Sequence, residues 1–418
     1  MTDGQGTSGA ILVVGGGISG LTAALEAAEV GKDVFLIDQN PYLGGRVAQL
    51  NHYFPKMCPP SCGLEINFKR IKNNRRIRTY TMATVASVSG SPGNYEVVVD
   101  VAPRYVNSNC TACGECTAAC PDEVENSFNF GMNTRKAAYL PHEMAFPRRY
   151  VIEKDALSAE GAEAVKNACK YDAVDLNMQP QQVTLSVGAI VWATGWTPYD
   201  PEKIENLRFG QSPAIVTNMM IERMAAPSGP TGGKIVVPGS NKEPQSVAFV
   251  QCAGSRDENH LEYCSYICCT ATIKQMGYVR ERYPDAHMYV FYIDMRTPGK
   301  YEQLRDVYLT DEKATFIKGK VADIELADEG VTVIAENALT GEKIHQTVDL
   351  VVLATGMQPS LYEGGAPAGL SLDDNGFVLS AYDQGIIGAG CAKKAADVVT
   401  SAQSSTAAAL KAIQISGR

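Results

Sequence analysis

Ile11-Leu-Val-Val-Gly15-Gly-Gly17-Ile-Ser-Gly20-Leu21 opens the sequence, and an alanine-rich stretch then leads to Val34-Phe-Leu-Ile-Asp38. An apolar run that breaks into Gly-x-Gly-x-x-Gly, continues as a helix to about residue 30 and re-enters an apolar run predicts strand, glycine turn, helix and strand. Gly15 lets the turn close, Gly17 removes the side chain that would keep a pyrophosphate off the backbone, and Gly20 lets helix and strand pack tightly. The helix N-terminus then faces the phosphates with unpaired N–H groups and a partial positive charge. Asp38 stands where a carboxylate binds a ribose hydroxyl. A tight turn without ligand is the competing reading; it needs neither the acid nor the open position at Gly17.

The chain has 418 residues, enough for two ordinary domains and a small third. Apolar residues make up 45% and charged residues 20%, with a formal charge of −9, so a nucleic-acid partner is not expected and no basic stripe is read. The first ten residues lack the features of a secretory signal, and no apolar run approaches the length of a membrane span. The expectation is a cytoplasmic chain, without direct membrane insertion, that meets a membrane only through partners. Twelve cysteines in a reducing compartment point to metal and not to disulfides. Ten of them group as 58/62, 110/113/116/120 and 252/264/268/269.

Taken in order, Gly44-Gly45-Arg46 follows the first βαβ unit. Cys58-Pro-Pro-Ser-Cys62 comes next; its spacing is not Cys-x-x-Cys, so structural or shielding thiols compete with a redox pair. Residues 77–101 alternate as strands, with a turn at 89–93. From 106 the chain changes character. Cys110-Thr-Ala-Cys113-Gly-Glu-Cys116-Thr-Ala-Ala-Cys120-Pro121 is the ferredoxin run, whose fourth cysteine ordinarily reaches another cluster. Zinc is the weaker alternative, because four-cysteine zinc sites use two separated pairs. Residues 149–177 read as a decayed second run that keeps only Cys169. Cys110, Cys113, Cys116 and Cys169 are therefore assigned to one [4Fe–4S] cluster, with Cys120 in place of Cys169 as the competing set.

The strand and Ala193-Thr194-Gly195 that follow this insertion recur as Leu350–Leu353 and Ala354-Thr355-Gly356, 161 residues later. Paired strands of this kind mark the crossings between the halves of disulfide-reductase-type flavoproteins. Between them a second glycine fingerprint is expected, yet the strand Ser246–Gln251 runs into Cys252, with Cys264, Cys268 and Cys269 before a helix over about 269–283 and a strand at 287–293. Four thiols at the position of a pyrophosphate predict a second [4Fe–4S] site, although the spacing is not a standard ferredoxin one and inert thiols at a buried turn are the competing reading. Without that loop the chain is not expected to use NAD(P)H. Near the end, Gly388-Ala389-Gly390-Cys391 precedes a helix over 397–415, with Cys391 where such flavoproteins carry an aspartate.

These motifs, with Asn129-Phe-Gly, Arg135-Lys-Ala-Ala-Tyr-Leu-Pro, Gln251-Cys-x-Gly-Ser-Arg256 and Cys268-Cys269, resemble the A subunits of heterodisulfide reductases over nearly the whole chain. The single complete cysteine run, the length of the chain and the 54–68 segment resemble most the A subunits of the quinone-interacting membrane-bound oxidoreductases of sulfate reducers.

The resemblance implies an α/β fold, a two-dinucleotide-domain, disulfide-reductase-like flavoprotein with an inserted ferredoxin-like module. Its parts are an FAD domain at 1–105, the inserted module at 106–180, an FAD return segment at 181–232, a degenerate NAD-like domain with the second cluster at 233–356, and an FAD C-terminal part at 357–418. It implies FAD held by Gly15, Gly17, Ile18, Ser19, Gly20, Asp38, Gln39, Gly44, Gly45, Arg46, Val85, Ala193, Thr194, Gly195, Gly390 and Cys391. It implies two [4Fe–4S] clusters, on Cys110, Cys113, Cys116 and Cys169 and on Cys252, Cys264, Cys268 and Cys269.

The implied function is electron transfer between the menaquinone pool and adenylylsulfate reductase. The implied partners are a second subunit with flavin and iron–sulfur, and a quinone-binding haem subunit in the membrane. The alternatives are a heterodisulfide-reductase-like subunit serving another soluble redox partner, a thiol–disulfide reductase using Cys58 and Cys62, and a structural flavoprotein subunit off the electron path.

Overall fold

The computed structural model describes residues 9–53, 57–362, 365–367 and 369–417. The chain divides into two compact units: Met1–Trp196 with Pro359–Lys394 and Val398–Arg418, and Thr197–Gln358 with Ala395–Asp397.

The first unit is built on a parallel sheet of five strands in the order Ile386–Gly388, Ala189–Trp192, Ile11–Val14, Val34–Asp38, Ile77–Thr81. Its inner strands are apolar at every position but Asp38, because both faces are covered. Ile11, Val13, Leu36 and Val191 face the helices Ile18–Glu29 and Val398–Ser416. Leu12, Val14, Ile37 and Ile190 face an antiparallel sheet of Gln181–Val187, Asn94–Val101 and Ala83–Ser91. Successive side chains of a strand point to opposite faces, so one apolar run serves two cores. The opening helix buries a face of alanine and leucine, small enough to pack closely against Ala408, Ala409 and Ala412. It ends before Gly31, whose φ of +93° provides the left-handed residue that closes a helix.

The insertion leaves this unit at the tip of an antiparallel ladder that runs from Val101 opposite Gln181 to Tyr95 opposite Val187. It contains two short ribbons, the helices Glu115–Ala119 and Ala159–Ala168, and a core of its own around Val106, Ala138, Ile152, Val165 and Val174. Aromatic contacts seat it beside the Gly44-Gly45 loop. Phe146 stacks on Phe68 at 5.3 Å, Tyr42 meets Phe128 and His142 edge-on, and Leu43 N–H donates to Phe146 O at 2.8 Å. Arg104 ties the exit strand down by donating to Pro41 O, Thr81 Oγ1 and Arg149 O, and burial pushes its guanidinium down to about 10.

The second unit repeats the plan. A parallel five-stranded sheet in the order Ile215–Thr217, Leu350–Thr355, Ser246–Ala253, His287–Tyr292, Ala314–Lys318 accompanies an antiparallel sheet of Val321–Leu326, Val331–Glu336 and Lys343–Val348. The fold is the expected α/β flavoprotein type with two dinucleotide-type halves. The expected FAD return segment, 181–232, divides at Trp196: Thr197 onward joins the second unit, because Ile215–Thr217 pairs with Leu350–Thr355.

Candidate cofactor sites

The glycine turn carries the geometry that each residue was expected to provide. A Cβ on Gly15, at φ +102°, would lie 2.3 Å from Ala193 O, and one on Gly20 would lie 1.7 Å from Gly15 O. At Gly17 the nearest atom to such a Cβ is Gly45 Cα at 3.7 Å, so the backbone there is open to a ligand. Gly44 bridges to Gly17 and its N–H donates to Gly16 O at 2.8 Å, which places the Gly44-Gly45-Arg46 segment beside the turn. No side chain caps the helix that starts at Ile18 and Ser19, so its first N–H groups are free for an anion.

Asp38 ends the second strand and is buried. Its Oδ2 accepts from Gly16 N–H at 2.6 Å, and its Oδ1 accepts from Asn40 N–H at 2.7 Å and Asn40 Nδ2 at 3.0 Å. Burial raises its pKa, and these hydrogen bonds oppose the rise. The carboxylate thus braces the turn from beneath, and each oxygen keeps lone-pair capacity for a ribose hydroxyl. Gln39, the next residue, is exposed.

Arg46 is half-buried and donates to Trp196 O at 3.2 Å and Gln49 Oε1 at 2.9 Å. Ala193 N–H donates to Val14 O at 2.7 Å, which brings Thr194 and Gly195 to the same sheet end as the turn. Thr194 Oγ1 is buried with no hydrogen-bond partner, a cost that a bound ligand would remove. Gly390 lies on Ser19: a Cβ there would be 2.0 Å from Ser19 Oγ. Cys391 Sγ stands 3.5 Å from Ser401 Oγ, a partner that only the fold reveals. Val85 stands apart on the antiparallel sheet, packed against that sheet's core. An open turn, an uncapped helix and an orphaned hydroxyl at one sheet end fit a flavin dinucleotide.

Cys110, Cys113, Cys116 and Cys169 line one small cavity, together with Tyr150 and Tyr171. Left-handed backbone at Ala112 and Gly114 wraps the loop round it. Two N–H groups already point at sulfur, Ala112 N–H to Cys110 Sγ at 3.4 Å and Ala173 N–H to Cys169 Sγ at 3.3 Å. Burial, and then the neighbouring Cys110, push the Cys116 thiol up to about 11. Cys120 is buried outside the lining, with its Sγ 3.5 Å from Asp122 O.

The second thiol set sits at the C-terminal end of the central strand of the second unit. Cys252, at φ +57°, turns out of the strand, and Cys268 and Cys269 begin the helix Cys268–Arg282. Cys268 Sγ approaches Thr355 O at 3.8 Å, Cys269 Sγ approaches Asp294 O at 3.7 Å, and Tyr266 N–H donates to Cys264 Sγ at 3.3 Å. Burial raises the Cys252 thiol to about 11 and Cys268 well above the ordinary range; in both, neighbouring cysteines add to the rise. Among the described residues no three Cys, His, Asp or Glu side chains close on one point as a single ion requires. Grouped cysteine sulfurs with N–H groups directed at them are a donor set that an iron–sulfur cluster takes.

Residues 54–56 of the expected resemblance segment lie outside the described residues; Cys58 and Cys62 follow them, half-buried and exposed respectively. The reading that no basic stripe is present is corrected. Lys69, Arg70, Lys72, Arg75, Arg76 and Arg78 are all exposed along one helix end, the turn after it and the following strand, with Arg70 paired to Glu29 and Arg76 to Asp33. Among the described residues no helix is long and apolar enough to cross a membrane.

The sequence matches the FAD-dependent oxidoreductase family over residues 10–57. It is 35% identical to the A subunit of the ferredoxin/F420H2-dependent CoB–CoM heterodisulfide reductase of Methanosarcina acetivorans, across 97% of this chain and 53% of that one. It is 36% identical to the A 2 iron–sulfur subunit of the CoB–CoM heterodisulfide reductase of Methanopyrus kandleri, across 96% of this chain and 63% of that one. The chain therefore spans between half and two thirds of the length of these relatives. Among solved structures, Lactococcus lactis thioredoxin reductase superposes with a TM-score of 0.53 at 11% identity, covering 98% of this chain and 99% of that one, which supports the fold alone. Residues 10–57 thus carry an FAD-dependent oxidoreductase match, and nearly the whole chain is similar to the A subunits of heterodisulfide reductases.

Proposed function

We propose that this chain is a flavin and iron–sulfur electron-transfer subunit of the heterodisulfide-reductase type, with FAD in the first unit and a [4Fe–4S] cluster at each thiol set. The observation that carries this reading is a substitution between two matching positions. Where the first unit has an open glycine turn after its central strand, the second has converging cysteines. A unit without that turn offers no bed for a nicotinamide dinucleotide, so electrons pass it singly, through iron.

Bound FAD would supply exchange between two-electron and one-electron chemistry. The chain's own part is to hold the pyrophosphate at Gly17 and the uncapped helix, to brace the turn with Asp38, and to direct N–H groups at the sulfurs. Hydrogen bonding at sulfur is one of the terms that set cluster potential. The relatives are named as subunits, and this chain is read in the same way, as one member of a multi-subunit redox complex.

The narrower expectation of a link from menaquinone to adenylylsulfate reductase rests on resemblance alone. The relatives named above concern heterodisulfide reduction, so the reading adopted is the heterodisulfide-reductase-like one, serving a soluble redox partner. The test is iron and acid-labile sulfide per FAD on anaerobically prepared protein, with flavin absorbance followed on adding NADH or NADPH. About eight irons per FAD and unbleached flavin are expected, since each cubane holds four. About four irons, or rapid bleaching, overturns the reading.

A further inference from the structure

The two units can be matched element by element, and the match exposes a charged group that the sequence reading passed over. In the first unit the strand Val34–Asp38 ends on the buried carboxylate beneath the glycine turn. The corresponding strand of the second unit, His287–Tyr292, is followed two residues later by Asp294. No glycine turn lies above Asp294. Its carboxylate is instead gripped by two arginines: Arg256 donates to Oδ1, and Arg296 donates to Oδ2 through Nε and Nη2, each at 3.2 Å.

All three residues border the thiols. Asp294 O lies 3.7 Å from Cys269 Sγ, the Arg296 side chain reaches Cys264, and Arg256 stands near enough to Cys252 to act on its charge. Both arginines are partly exposed, Arg256 less than Arg296. The group carries two positive charges against one negative, at the solvent side of a site whose inner side is apolar strand and helix.

We propose that Arg256 and Arg296 are positioning residues that raise the reduction potential of the second iron–sulfur site, with Asp294 fixing their guanidiniums against the cysteines. The inference rests on the proposed function. Reduction adds one electron, supplied in the test by a chemical reductant, and makes the site one charge more negative. A nearby guanidinium favours that state, most strongly where the surroundings are of low dielectric. Asp294 opposes it. Arginine suits the role because it stays charged at any working pH, and its planar fork can hold the carboxylate and face sulfur together.

The test is an anaerobic redox titration of the FAD- and iron-loaded chain, read by electron paramagnetic resonance. The variants are Arg256→Gln, Arg296→Gln, Arg296→Lys and Asp294→Asn, each with its iron content measured. Each glutamine variant is expected to lower the reduction equilibrium of the second site about tenfold, which for one electron is about 59 mV more negative. Arg296→Lys stays near the parent, and Asp294→Asn moves the potential the opposite way. A general loosening of the site cannot produce shifts of opposite sign. The cluster on Cys110, Cys113, Cys116 and Cys169 serves as the unmoved reference.

Unchanged potentials in iron-replete glutamine variants, or shifts of one sign throughout, overturn the inference. If one arginine variant fails to load iron, the other and Asp294→Asn still read the sign. If the parent itself holds only about four irons per FAD, it is the proposed function that has failed, and the iron count says so before any potential is measured.

Discussion

Lys274 Nζ lies 2.9 Å from Glu222 Oε1 in the interior of the second unit, with 4% and 1% of the two side chains exposed. Gln275 Nε2 donates to the same Glu222 oxygen at 2.9 Å, and Tyr278 OH donates to Oε2 at 3.2 Å. The pair joins the helix Asn218–Ala225 to the helix Cys268–Arg282, whose first two residues are thiols of the second site. Removing one partner leaves a buried charge uncompensated, so Lys274→Met is expected to cost about 3–5 kcal/mol. The double variant Lys274→Met with Glu222→Leu should cost less than that. Urea unfolding of the three proteins measures both, and equal losses would remove the ion pair from the account.

The cavity lining separates the two candidate fourth cysteines of the ferredoxin run. Cys169→Ser should lower iron by about four per FAD, one cubane, while Cys120→Ser leaves it unchanged. Iron and sulfide analysis decides between them; the reverse pattern would restore Cys120 as the ligand.

At the glycine turn, two alanine substitutions should behave differently. Gly20→Ala places a methyl 1.7 Å from Gly15 O, so the fold itself must give way and soluble yield should fall. Gly17→Ala meets nothing closer than 3.7 Å, so the protein should fold normally and bind FAD about tenfold more weakly, or about 1.4 kcal/mol. Circular dichroism checks the fold, and flavin fluorescence on dilution checks the affinity.

How much of this could be read beforehand depended on the range of the interactions. The opening unit was legible because strand, turn, helix and acid are consecutive, and the glycine spacing encodes local backbone shape. The boundary at Trp196 was not, since Ile215–Thr217 joins the second sheet by pairing with Leu350–Thr355, well over a hundred residues away. Cys169, expected from counting along a decayed repeat, lies in the lining with Cys110, Cys113 and Cys116. Asp294 carried the same signal as Asp38, an acid just past a strand, but without glycines nothing marked it. The exposed cations at 69–78 were hidden by an overall charge that averages them away.

Asp349 gives the second unit a pH dependence. Its carboxylate accepts from Gln245 N–H at 2.9 Å, Ser246 N–H at 2.9 Å, Ser246 Oγ at 3.0 Å and Lys242 Nζ at 2.7 Å. Burial alone would raise its pKa; these partners outweigh burial and hold it below the usual 3.8. The folded state therefore binds this proton less readily than the unfolded chain does. The resulting stability is fully present above about pH 4 and fades as the pH falls through the folded value. Asp349→Asn should cost about 1.5–3 kcal/mol at pH 7 and progressively less near pH 3. Melting temperatures of both proteins across that range test it, and a gap that does not narrow would assign the loss to packing.

Because residues 102–180 depart and return at one rung of an antiparallel ladder, the host sheet needs only a turn at that point. Two chain ends held one strand spacing apart, about 5 Å, will accept any domain whose own termini lie close together. The iron-bearing module is in that sense a cartridge. Its content can decay, as the lone Cys169 of the second run suggests, or be exchanged by recombination, without a strand of the flavin half changing register.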